Sequence, residues 1–162
     1  MDPVYLPEIA PVAETIPPNP ATVAKVQNEL SVTELIDKIR TAVATEERFD
    51  HVQDLAGRNT VEAVKAIQML FRTERHPKVK AALLAGLGDM DVALAPEIRR
   101  QLLATALRGE GREVRSTALD LLGEDDSPTA TALLGQAMKS DPDQELREAA
   151  AELYRERTKR PE

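Results

Sequence analysis

The chain has 162 residues, with 21 Lys and Arg against 28 Asp and Glu for a formal charge of -7, and it is 42% hydrophobic, 30% charged and 2% aromatic. That balance belongs to a folded chain whose negative total opposes duplex nucleic acid, which demands a positive field to displace condensed counterions. Cysteine is absent, which removes thiol nucleophiles and leaves the redox compartment open, and no apolar run nears the roughly 18 residues of a membrane span.

Six of the eleven prolines fall in the first twenty residues, at Pro3, Pro7, Pro11, Pro17, Pro18 and Pro20. Proline fixes φ and removes a backbone donor, so residues 1–20 are expected to be an extended tail or strap. Val4, Tyr5, Leu6, Ile9, Val12 and Ile16 give it apolar groups that a spacer does not require. No Lys or Arg precedes Lys25, so no leader is expected and the compartment reads as cytoplasmic. A Met1-Asp2-Pro3 start also fits a periplasmic or membrane-anchored protein whose leader has been removed.

Residues 21–162 read as helices. Asn19-Pro20 predicts a short helix to about Leu30, and Ser31 with Glu34 has capping-box spacing ahead of an apolar stripe from Val32 to Val43. Thr45 starts the next helix, which Gly57 stops. Asn59 and Glu62 repeat the capping-box spacing before Val61, Val64, Ile67, Leu70 and Phe71. Pro77, Pro96 and Ser127-Pro128 open helices, Gly88, Gly109 and Gly123 close them, Gly111 precedes another and Asp143 caps the last. The predicted hairpins pair 31–44 with 45–56, 60–73 with 77–88, 95–108 with 112–123, and 128–139 with 143–157.

Three second helices repeat one pattern: Val79-Lys80 with Leu83 and Gly88, Val114-Arg115 with Ala118 and Gly123, Leu146-Arg147 with Ala150 and Tyr154. Their spacings of 35 and 32 residues mark a repeat array. Asp143, two positions, Leu146, Arg147 and Ala150 resemble the second helix of a HEAT-like repeat, whereas His76 and Gly111 stand where the other copies would carry the aspartate. The resemblance covers residues 60–157 well and the pair 31–57 poorly. It implies an all-α, short right-handed solenoid of about four antiparallel hairpins, with second helices on the concave side. It also implies a structural ladder between neighbouring repeats formed by Lys80, Arg115 and Arg147 with Asp143.

At 100° per residue, positions -1, 2 and 6 relative to Val79, Val114 and Leu146 point away from the core. The outward set is Lys78, Ala81 and Ala85, then Glu113, Ser116 and Asp120, then Glu145, Glu148 and Glu152. The expected partner is a basic or extended protein segment steered to this acidic face, or else the face is simply solvated. The basic residues Arg99, Arg100, Arg108, Arg112 and Arg115 read as solvated helix faces and ends, not a nucleic-acid patch.

Catalytic candidates are thin. His51 and His76 do not have metal-ligand spacing, and His76 reads as a helix cap. The acidic turns Asp89-Met90-Asp91 and Glu124-Asp125-Asp126 are better explained by following helix dipoles than by a cation. The expectation is therefore no metal, no cofactor and no catalysis. Two other HEAT-like classes, bilin lyases and DNA glycosylases, require a tetrapyrrole pocket or a basic groove with aromatic platforms. A monomer, or a homodimer through the amino-terminal end, follows from how the first hairpin is covered.

Overall fold

The computed structural model describes residues 29–91, 93–109 and 111–159. Among the described residues eight helices follow in order: α1 Val32–Thr41, α2 Thr45–Gly57, α3 Val61–Thr73, α4 Pro77–Asp89, α5 Pro96–Leu107, α6 Arg112–Glu124, α7 Pro128–Ser140 and α8 Gln144–Lys159. No strand occurs among the described residues. The proline-rich strap and most of the helix expected before Leu30 lie outside them; Glu29 and Leu30 are not helical.

The helix starts have identifiable chemistry. Ser31 closes the anticipated capping box: its hydroxyl accepts from the Glu34 amide at 3.2 Å while Glu34 accepts from the Ser31 amide at 2.7 Å. Those Ser31 hydrogen bonds hold the exposed Glu34 carboxyl below its ordinary value. Pro77, Pro96 and Pro128 occupy the first turns of α4, α5 and α7, and the Ser127 hydroxyl accepts from the Ala130 amide at 3.1 Å.

Two cap assignments are corrected. Thr60, not Asn59, caps α3 by accepting from the Ala63 amide at 3.2 Å. Asn59 instead takes a left-handed φ of 47°, which Asn tolerates better than most residues, and its Oδ1 accepts from the Asp91 amide at 2.8 Å. His76 holds the N-cap position of α4, but its side chain makes no capping bond.

Consecutive helices pair as α1–α2, α3–α4, α5–α6 and α7–α8, and each pair stacks on the next. The first helices form one layer and the second helices the other. Substantial contacts join only hairpin partners or adjacent hairpins, as expected for a one-dimensional array. The core runs continuously from Leu35 and Ile39 through Leu83, Leu84, Leu87 and Leu119 to Leu134 and Ala150. Small residues set how close the layers come: Ala63, Ala66, Ala106, Ala118, Ala130 and Ala150 are all buried. The second helices α2, α4 and α6 press together more extensively than the first helices do.

Candidate functional site

The fourth residue of every second helix is basic: Arg48, Lys80, Arg115 and Arg147. Three positions ahead of those helices stand Ala42, Glu74, Gly109 and Asp141. These two registers meet across repeat boundaries. Arg48 pairs with Glu74 of the next hairpin, and Arg115 Nε lies 2.9 Å from Asp141 Oδ2. The second pair is deeply buried, with side chains 6% and 1% exposed.

Each rung is also tied to its own repeat. Arg48 Nε donates to the Ile39 carbonyl at 2.7 Å, Arg115 Nη1 to the Gly109 carbonyl at 3.2 Å, and Arg147 Nη1 to the Asp141 carbonyl at 2.7 Å. Lys80 differs: its Nζ lies 4.9 Å from the centroid of the Phe71 ring, a cation–π contact within its hairpin.

Lys80, Arg115 and Arg147 thus occupy equivalent positions, but Asp143 is not their acid. Its Oδ1 accepts from the Leu146 amide at 3.2 Å, capping α8, and its Oδ2 meets Arg112 Nε at 2.8 Å. The Arg112 hydrogen bond leads in holding the Asp143 carboxyl below its ordinary value. The correct acid lies two residues earlier because Asp141 ends α7, where its carboxylate points back toward α6. Arg48, Glu74 and Asp141 were missed, and of the basic residues read as solvated helix faces and ends, Arg112 pairs with Asp143 and Glu145 while Arg115 is buried. An acid six residues before the basic position, as in Glu74/Lys80 and Asp141/Arg147, was the available signal.

Burial drives the Glu74 carboxyl up, but the His76 and Arg75 amides and the Arg48 charge outweigh it, so the net shift is downward. A depressed carboxyl contributes stability above its unfolded value, near 4.3, and loses it as pH falls through the folded value. Glu74→Gln should therefore melt below the parent protein at neutral pH, with the gap closing as pH drops below about 4. A gap in melting temperature that is the same at both ends of the titration would remove Glu74 from this linkage.

The expected outward face is mostly exposed: Lys78, Ala85, Glu113, Asp120, Glu145, Glu148 and Glu152 face solvent, and Ser116 is half-buried. Ala81 is 7% exposed and belongs to the core, because the stacked neighbouring helices cover that side of α4. Arg112 also reaches Glu145, drawing α6 and α8 together and reducing the acidity of that end. Gln144 Nε2 donates to Glu148 Oε1 at 2.9 Å.

The acidic turns serve the backbone. Asp91 Oδ1 accepts from the Ala93 amide and Asp125 Oδ1 from the Ser127 amide, both at 2.9 Å. Among the described residues no three His, Asp or Glu side chains gather in a way that could hold a metal ion. No described helix is long and apolar enough to cross a membrane.

The family profile described as HEAT repeats matches residues 63–155, more than half of the chain. The chain belongs to the HEAT-repeat family. No curated protein matches it. The HEAT match begins inside α3, so α1 and α2 precede it, yet the Arg48–Glu74 rung and the packing of α2 on α4 attach that divergent hairpin to the HEAT array.

Proposed function

We propose that this HEAT array is a non-catalytic scaffold that binds a protein segment along its second helices. HEAT repeats commonly mediate protein–protein interaction. The closer packing of α2, α4 and α6 relative to the first helices supports a concave second-helix side. The carrying observation is the exposed row Glu113, Asp120, Glu148 and Glu152 on α6 and α8, which favours a basic or extended partner segment through electrostatic steering. Phe71 is buried and Phe49 and Tyr154 pack against the core, so the described aromatics supply no exposed stacking platform for nucleic acid or a planar pigment.

The test is a fluorescence-anisotropy titration with an oligo-lysine peptide at low and high salt. Glu148→Lys with Glu152→Lys should weaken binding by about tenfold and flatten its salt dependence. Unchanged affinity and salt slope would exclude this face.

A further inference from the structure

Among the described residues the ladder has one open rung. At the register that supplies Glu74 and Asp141 to their neighbours, the third hairpin carries Gly109, so Lys80 faces a position without a side chain. A Cβ built at Gly109 would sit 3.0 Å from the Ala106 carbonyl oxygen, so the chain does not readily carry its own acid there. In its place is a cleft of about 630 Å³ between the second and third hairpins, walled by Phe71, Arg75, Lys80, Arg108, Gly109 and Gly111. Among the described residues, no carboxylate pairs with Arg75, Lys80 or Arg108. The amino ends of α4 and α6 border the same cleft and add positive potential.

We infer that this cleft receives an acidic side chain of a protein partner, which supplies in trans the carboxylate that Glu74 and Asp141 supply in cis at the flanking rungs. Lys80 is held by the Phe71 ring and projects into the cleft wall, while Arg75 and Arg108 stand at its rim, both exposed. Three cations around one opening, in a chain whose total is -7, form a local reversal of sign that selects against the basic segments favoured by the α6–α8 face. The site is distinct from that face and stands independently of it.

The experiment titrates the full chain with an acetylated, amidated oligo-aspartate peptide and follows backbone amide shifts by nuclear magnetic resonance, with oligo-lysine and inorganic phosphate in parallel. Saturable shifts centred on Gly109, Gly111 and Lys80, weakened at least about fivefold in both Lys80→Gln and Arg108→Gln, are expected. Arg108 is exposed, so its variant keeps the test valid if loss of the Lys80–Phe71 contact lowers stability. No saturable shift, or equal binding by both variants, overturns the inference. So does phosphate binding without peptide binding, which marks a free-anion site. Glu110 adjoins the cleft in sequence but lies outside the described residues, and peptide binding seen only in Glu110→Gln would mean the rung is filled in cis.

Discussion

Asp141→Ala is expected to destabilise the protein by about 3 to 5 kcal/mol, because it removes one partner of the buried Arg115–Asp141 ion pair. The same substitution strips the Asp143 amide of its 2.9 Å acceptor, loosening the turn into α8. For a chain of this length the melting temperature should fall by on the order of 10 °C. The damage should be local, since an array transmits stability only through neighbouring interfaces. Amide exchange should accelerate first in α7 and α8, with α1 and α2 still protected. Replacing both partners, Arg115→Met with Asp141→Leu, should recover most of the loss, because well-packed apolar side chains remove the desolvation cost of the buried pair. A loss below about 1 kcal/mol in Asp141→Ala would reclassify the pair as a surface-type bridge.

The opposite end of the array is expected to fail in Gly86→Leu. Gly86 is buried where α4 crosses α2; a Cβ there would lie 3.2 Å from Ala56 Cβ and 3.4 Å from Val52 Cγ1. A leucine cannot fit without moving one helix off the other, at a cost of roughly 1 to 3 kcal/mol. Gly86→Ala is the calibrating variant: it gains up to about 1 kcal/mol of helix propensity and sets that against one tight contact, so its net effect should be small. In Gly86→Leu, exchange should accelerate in α1 and α2 while α7 and α8 stay slow, the mirror image of Asp141→Ala. If the eight described helices lose protection together in both variants, the molecule is a single cooperative unit and the nearest-neighbour account fails.

The two variants also separate what each kind of information contributed. The start of α1 at the Ser31–Glu34 box, the prolines opening α4, α5 and α7, and the Asp143 cap of α8 were all readable, because a cap acts within one turn of its own helix. The periodic Lys80, Arg115 and Arg147 were readable as an equivalent set for the same reason. Their partners were not. Asp143 attracted attention because it sits close to Arg147 in sequence, whereas the charge that neutralises Arg115 belongs to Asp141, one hairpin further on. Ala81 was misplaced because helical angle alone does not register a neighbouring helix on each side.

By itself, then, the order of residues determined that the chain makes helices, where most of them begin, and that they recur with a period near that of a two-helix unit. Those properties depend on caps, proline and apolar spacing, which act over a few residues. Tertiary structure alone decided which acid neutralises which base, which small residue is buried, and that among the described residues no carboxylate stands opposite Lys80 at the Gly109 register. Those depend on the stacking of one hairpin against the next, and contacts separated by about thirty residues leave no local trace until the layers are assembled.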